Sequence, residues 1–136
     1  MKNILLPMVC DLFHYGHLGF IKKVKDRNSD SKIIIGLYPD NDVKKYKRLP
    51  ILNVQERKKI LEGCKYVDKV VVCPIDKHLE IVKENNIDLV IHAHSEHEHE
   101  KYRFIWGDIE DKFIRYDYHG EISTTEIINR IKDRFI

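Results

Sequence analysis

Short apolar runs rich in β-branched residues alternate with amphipathic stretches along this chain, and this alternation is the feature that most restricts its fold. Runs typical of buried strands cover residues 3–9, 33–38, 67–73, 87–92 and, more briefly, 112–116. Helical periodicity and capping signals predict helices over residues 18–27, 53–64, 77–85 and 123–135. This order predicts an α/β fold: a doubly wound sheet of about five mostly parallel strands with helices on both faces.

Length, charge and cysteine content exclude several classes of protein. The chain has 136 residues, which predicts a single domain over residues 1–136. Its net charge of +2 is too small a basic excess for a nucleic-acid partner. The 3 cysteines form no CxxC pair and predict reduced thiols in a cytoplasmic protein. No apolar run has the roughly 20 residues of a membrane span, and none reads as a signal peptide.

The turn after the first predicted strand carries two histidines around a glycine, in the order His14, Tyr15, Gly16, His17. In parallel α/β sheets, ligands bind where strands end and helices begin. A glycine there lets the backbone approach a ligand closely. The two imidazoles can donate hydrogen bonds to phosphate oxygens and stabilise developing negative charge. Alternatively, the two histidines are helix-start residues with ordinary hydrogen bonds.

A second candidate site opens the last predicted helix. Ser123 is a good N-cap, and Glu126 is placed to complete a capping box. Capping does not require Thr124 and Thr125. Three consecutive hydroxyls beside free N–H groups at the positive end of a helix predict a phosphate cradle.

Together these segments resemble the cytidylyltransferases, a family within the HxGH nucleotidyltransferase superfamily. Between the histidine turn and the hydroxyl segment lie three more stretches that are similar to the family and follow its order. These stretches are residues 46–48, 53–57 and 65–71. The resemblance covers nearly the whole chain and implies a Rossmann-like sheet. It also implies transfer of CMP from CTP to a phosphorylated alcohol such as phosphocholine, phosphoethanolamine, glycerol 3-phosphate or a related phosphonate, with release of pyrophosphate.

The resemblance implies a role for each matching residue. His14, His17 and Lys47 are the expected catalytic residues. The expected nucleotide-binding residues are Asp11, Gly16, Arg57, His92, Ser123, Thr124 and Thr125. Arg57 is expected near the triphosphate, whereas Asp11 orients the first loop. The resemblance also implies a homodimer and Mg²⁺ carried by the nucleotide phosphates, without a dedicated protein site.

The chain departs from the family pattern in three places. Met8, Val9 and Cys10 stand where the family commonly has Gly-Thr-Phe. Residues 118–121 replace the usual Arg-Thr-x-Gly, and Arg115 is a candidate substitute for the missing arginine. After the fourth strand, His92 matches, but Ala93 and His94 replace an acidic pair. The identity of the acceptor is therefore what the resemblance to the family predicts least well for this chain.

The segment from His92 to Glu100 holds four of the 8 histidines and predicts a loop or the start of a polar helix. Its functional alternatives are a metal site, a solvated polar segment, or a substrate loop. In the last case a cationic head group would be received, by charge and cation–π contact, by Glu96, Glu98, Tyr102 and Trp106. The absence of nearby cysteines and of a fixed ligand spacing argues against zinc.

Two other functions remain open for the whole chain. The same fold serves adenylyltransferases that use ATP on a phosphorylated cofactor precursor. The departures from the family pattern also leave room for a nucleotide-binding module that has lost catalysis. The segment around Ser123 and the stretch from Lys65 to Val71 favour CTP.

Overall fold

A computed structural model describes residues 1–117 and 122–136 of the chain. Five strands form one parallel sheet: β1 (Lys2–Met8), β2 (Ser31–Leu37), β3 (Lys69–Val72), β4 (Leu89–Ala93) and β5 (Phe113–Tyr116). Their order in the sheet is β3-β2-β1-β4-β5, and every pairing is parallel. The chain therefore reverses its winding direction beside β1, between β1 and β4. The predicted doubly wound α/β sheet of five strands is confirmed.

Seven α-helices connect or follow these strands in the described residues. They are α1 (Tyr15–Arg27), α2 (Asp40–Tyr46), α3 (Val54–Glu62), α4 (His78–Glu84), α5 (Glu96–Lys101), α6 (Arg103–Trp106) and α7 (Thr124–Phe135). Short 3₁₀ turns occupy Ile75–Lys77 and Gly107–Lys112. The described helices are all too short or too polar to cross a bilayer.

Side chains of β1 and β2 alternate between two hydrophobic clusters, one on each face of the sheet. Ile4 and Leu6 belong to the cluster that also takes in Ile21 of α1 and Leu61 of α3. Leu5, between them, points to the opposite cluster, with Val82 of α4. Because strand side chains alternate in direction, a strand buried on both faces reads as a continuous apolar run. Helices on both faces, as predicted, cover the sheet.

Two helices form where the sequence pattern gave little signal. Helix α2 follows Pro39, and Val43 is its only buried residue, so it shows no apolar periodicity. Helix α5 contains no buried residue, but Ser95 and Glu98 form a reciprocal capping box at its start. The alternative of a polar helix after β4 is therefore the one the structure adopts.

Candidate active site

A cleft of about 740 Å³ opens at the carboxyl ends of β1, β2 and β4. Its lining brings together most of the residues expected to bind or react. They are Asp11, His14, Gly16, His17, Lys47, His92, Tyr102, Trp106, Ser123, Thr124 and Thr125. The cleft therefore lies where the winding of the sheet reverses, which is the usual ligand position in such folds.

The two histidines of the first turn are held in one tautomer by backbone amides. His14 is the N-cap of α1, and its Nδ1 accepts from the N–H of Gly16 at 3.1 Å. The Nδ1 of His17 accepts from the N–H of His14 at 3.3 Å. Because Nδ1 is an acceptor in both rings, each neutral imidazole carries its proton on Nε2. Both histidines therefore make ordinary hydrogen bonds at the start of a helix, and these same bonds leave the proton of each ring on Nε2.

Both rings remain neutral near pH 7. Burial and, to a smaller extent, the adjacent His14 lower the pKa of His17 to about 4, against an opposing effect of Asp11. Burial also lowers the pKa of His14. The two rings stack with centroids 3.7 Å apart, so a charge on one would repel a charge on the other. The pair is therefore suited to donate neutral N–H bonds to phosphate oxygens.

Thr124, at the start of α7, ties the last helix to the histidine turn. Its hydroxyl donates to the Asp11 carbonyl at 2.9 Å and lies 3.3 Å from Nε2 of His14. Since the hydroxyl donates to the carbonyl, it accepts from the His14 N–H. This contact joins the two segments that the sequence singled out separately.

The carboxylate of Asp11 is buried and holds a second loop against the first. It accepts from the backbone N–H groups of Ile51 and Leu52, at 2.7 Å and 2.9 Å. This loop runs from the end of α2, where Lys47 lies, to the start of α3. Asp11 thus sets the position of the loop that carries the lysine, whereas the resemblance implies only that it orients the first loop.

Lys47 and Arg48 supply positive charge on the same side of the cleft as the hydroxyls. Both line the cleft, whereas Lys44 and Lys45 do not. Arg48 donates to the hydroxyl of Thr125 at 3.2 Å. The positive charge and the start of α7 therefore form one wall that matches a polyphosphate.

Ser123 caps α7 by accepting from the N–H of Glu126 at 3.1 Å. The expected capping box is only half formed, because the carboxylate of Glu126 pairs with Arg130 at 3.0 Å. Residues 118–121, which replace the family's Arg-Thr-x-Gly, lie outside the described residues.

Arg57 does not lie in the cleft, contrary to the expectation that it would sit near the triphosphate. Its side chain is fully buried, and its guanidinium donates to the carbonyls of Leu52 and Val9 at 3.0 Å and 2.8 Å. It also pairs with the Asp40 carboxylate at 2.7 Å. Each of its three guanidinium nitrogens donates to one of these acceptors, so Arg57 joins three loops beneath the cleft.

Arg115, the candidate substitute for the missing arginine, is also outside the cleft lining. It donates to the His94 carbonyl at 2.8 Å and to the Asp117 carboxylate at 2.5 Å. A longer pair of 3.4 Å joins it to Glu96. The structure therefore gives Arg115 a role in joining β5 to the start of α5.

Histidines and aromatic side chains also line the cleft. His94 is buried and stacks on Trp106, with ring centroids 4.6 Å apart. Its Nδ1 lies 2.8 Å from Nδ1 of His92, and its Nε2 lies 2.9 Å from Nδ1 of His99. Among the described residues, no group of three or more His, Cys, Asp or Glu side chains is placed to hold a metal ion. The histidine-rich segment thus forms a chain of hydrogen-bonded rings.

A family model described as cytidylyltransferase-like matches residues 9–130. The chain belongs to the cytidylyltransferase-like family. This confirms the resemblance carried by the histidine turn and the segment that begins at Ser123.

Similar proteins in this family include enzymes named for phosphoalcohol substrates. The chain is 32% identical over 133 residues to a probable ethanolamine-phosphate cytidylyltransferase of Encephalitozoon cuniculi, covering 96% of this chain and 40% of the relative. Ethanolamine-phosphate cytidylyltransferase of Mus musculus is 36% identical over 89 residues, covering 63% of this chain and 22% of the relative. The chain thus spans less than half the length of these relatives.

A solved structure with the same fold is the lipopolysaccharide core biosynthesis protein from Thermoplasma volcanium. It superposes with a TM-score of 0.71 at 18% identity, covering 88% of this chain and 98% of that protein. The likeness supports the Rossmann-like α/β fold of the cytidylyltransferase-like chain.

Sequence reasoning did not assign several residues of the cytidylyltransferase-like cleft. They are Lys23, Tyr38, Arg48 and His94. A signal for His94 was present in the sequence, because Ser95 and Glu98 have capping-box spacing. That spacing places the start of a helix directly after His94, at the end of β4.

Gly16 has no room for a side chain. A Cβ at this position would lie 2.8 Å from the carbonyl oxygen of Ile122 and 2.9 Å from Cε1 of His14. We expect Gly16→Ala to displace the His14 ring and the start of α7, and to weaken nucleotide binding by at least about tenfold, since both contribute phosphate donors. Binding is measured by calorimetric titration with CTP.

Gly19 is the matched control, because a Cβ there meets nothing within 4 Å. Gly19→Ala lies in the same helix and is expected to be neutral or to stabilise the protein by roughly 0.5–1 kcal/mol. Equal CTP affinity in Gly16→Ala and the wild type would contradict the close packing described above.

Proposed function

We propose that the protein transfers CMP from CTP to a phosphorylated alcohol, giving a CDP-alcohol and pyrophosphate. The observation that carries the proposal is the neutral Nε2–H donor of His17, in a cleft that is also lined by Lys47, Arg48 and the start of α7. Beside it, His14 donates its Nε2–H to the hydroxyl of Thr124. Membership in the family and the printed names of the relatives support the choice of reaction.

In the proposed reaction, an oxygen of the acceptor phosphate attacks the α-phosphorus of CTP. The new O–P bond forms as the bond from the α-phosphorus to the bridging oxygen breaks, and pyrophosphate leaves with that electron pair. His17 donates its Nε2–H to an oxygen that gains charge, and His14 does the same when its Nε2–H turns from the Thr124 hydroxyl to the bound phosphate. Lys47 brings positive charge to the phosphates. No covalent enzyme intermediate is needed, so catalysis consists of positioning and charge stabilisation.

The chain offers Mg²⁺ few carboxylates in this cleft. Asp11 is already bonded to two backbone N–H groups, and Glu98 is bonded to Ser95 at 3.2 Å. These residues fit a cation held mainly by nucleotide phosphates and water, which is the usual mode for Mg²⁺. When bound, Mg²⁺ would neutralise charge on the triphosphate.

We propose phosphoethanolamine or phosphocholine as the acceptor class. The cleft lining includes the Glu98 carboxylate and Tyr102, which suit a cationic head group, whereas Trp106 is buried and stacks on His94. Both relatives reported above are named for ethanolamine phosphate.

A pyrophosphate-release assay tests the reaction and the acceptor together. Each of the four nucleoside triphosphates is offered with phosphoethanolamine, phosphocholine, glycerol 3-phosphate or hydroxyethylphosphonate, and the products are identified by mass. We expect turnover with CTP and an amine-bearing phosphoalcohol. Preferential use of ATP would establish the adenylyltransferase alternative. CTP binding without release from any acceptor would establish the impaired binding module.

Lys47 and Lys45 form a matched pair for this assay, since they lie two residues apart and only Lys47 lines the cleft. We expect Lys47→Ala to lower kcat/KM by roughly 10²-fold, because it removes a charge that stabilises the transition state. Lys45→Ala is expected to stay within twofold of the wild type. Similar losses in both variants would point to a general effect of net charge on this loop.

We also propose that the protein is a homodimer and works in the cytoplasm. The support for the dimer is the family resemblance. The free thiols of Cys10, Cys64 and Cys73 suit a reducing compartment. Light scattering during gel filtration would test the oligomeric state, and a mass of 16.2 kDa would contradict the dimer.

A further inference from the structure

Three histidines form a continuous hydrogen-bonded chain that leads from the cleft to α5. His92 and His94 line the cleft, His94 is buried, and His99 is not among the cleft-lining residues. The two nitrogen–nitrogen distances along the chain are 2.8 Å and 2.9 Å. Both are hydrogen-bond distances, so one ring of each pair donates and the other accepts.

Because a neutral imidazole has one ring proton, the hydrogen bonds that join the three histidines all point the same way. His94 has a single ring proton when neutral, yet both its nitrogens are bonded, so it donates to one neighbour and accepts from the other. If His92 donates from Nδ1, its Nε2 is an acceptor, and Nε2 has no hydrogen-bond partner among the described residues. His94 then donates from Nε2 to His99. Shifting every proton by one bond reverses all three tautomers and moves one proton along the chain.

The surroundings keep His92 and His94 neutral, which such a shift requires. Burial, with smaller contributions from the nearby His94, Lys47 and His78, lowers the pKa of His92 to about 3. Burial lowers the pKa of His94 to about 4, with His99 and Arg115 acting in the same direction and Glu98 opposing them.

Two of the charged or titratable groups near the three histidines are themselves paired. Arg115 is paired with Asp117 and Glu96, and His78 lies 3.0 Å from the Tyr38 hydroxyl. Stacking on Trp106 holds the central ring in place. No stable imidazolium is therefore needed at any point of the chain.

We propose that His92, His94 and His99 form a proton relay that removes the second proton of the acceptor phosphate before it attacks CTP. This inference rests on the proposed function. A phosphate monoester loses this proton with a pKa of about 6, and the dianion is the stronger nucleophile. The O–H bond of the monoanion breaks and an N–H bond forms at Nε2 of His92. One proton then passes from His92 to His94 and one from His94 to His99, and His99 releases its Nε2 proton to water.

The relay is tested by the pH dependence of kcat/KM for the acceptor at saturating CTP. The variants are His94→Gln and His99→Gln, with His97→Gln as the matched control. His97 is exposed and lies on the same helix as His99. Circular dichroism at each pH verifies that every variant is folded.

The relay predicts losses only where the monoanion dominates. At pH 5.0 we expect kcat/KM of His94→Gln and His99→Gln to be about tenfold below the wild type, because about nine-tenths of the acceptor is then protonated. At pH 8.0 all four proteins are expected to agree within twofold, and His97→Gln follows the wild type throughout. Equal losses at both pH values would show a structural role and overturn the relay, as would no loss in His99→Gln.

A spectroscopic readout separates this inference from the proposed function. In ¹⁵N spectra of the unliganded protein near pH 7, we expect one protonated and one unprotonated nitrogen on His94, and a change in both signals in His99→Gln. Unchanged His94 signals in that variant would overturn the relay. A wild type that turns over no acceptor would instead refute the proposed function.

Discussion

Replacing His17 by alanine is expected to lower kcat by roughly 10²–10³-fold while leaving the fold intact. The imidazole is held as an Nε2–H donor by the backbone amide of His14, and burial keeps its pKa at about 4. It therefore offers a preorganised donor whose removal leaves charge on the reacting phosphate without a partner. Pyrophosphate release at saturating CTP and acceptor measures the loss.

Two further variants show whether the donor itself matters. His17→Gln keeps an N–H donor near the position of Nε2 and is expected to recover part of the lost rate. His97→Ala removes an exposed histidine from α5 and should have no effect on kcat. If His17→Gln were as slow as His17→Ala, position and packing of the ring, rather than its N–H, would explain the loss.

Arg57→Met is expected to lower the free energy of unfolding by about 3–5 kcal/mol. The guanidinium is fully buried, and its loss leaves the Asp40 carboxylate and two backbone carbonyls without their donor. Methionine fills a similar volume, so the main effect is on polar groups rather than on packing. Urea denaturation followed by circular dichroism measures the change.

Lys59→Met serves as the control for Arg57→Met, since Lys59 lies on the same helix and is exposed. Its stability should stay within about 0.5 kcal/mol of the wild type. Arg57→Met with wild-type stability and a raised KM for CTP would restore the sequence expectation that this arginine binds the triphosphate.

The burial of Arg57 also shows what could not be predicted from the sequence. The order of apolar runs was enough to predict the five strands, because parallel strands buried on both faces have a distinctive composition. It could not predict the burial of Arg57, since a basic residue on a polar helix reads as exposed. Its partners, Val9 and Asp40, are distant in sequence and meet it only in the folded chain.

The candidate site was predictable in part. His14, His17 and Thr124 were found because they occupy the ends of strands and the starts of helices. The bond from Thr124 to the Asp11 carbonyl, and the ring chain through His94, depend on tertiary contacts. The missed residue His94 follows β4 directly, where the sequence pattern changes from apolar to polar.

The hydrogen bond from Thr124 to Asp11 spans 113 positions of the chain. During synthesis, the first phosphate-facing turn therefore stays incomplete until α7 has left the ribosome and docked. A growing chain that still lacks α7 would carry the histidine turn without its contact to Thr124. Nucleotide binding in this cleft would then report that α7 has docked on the turn.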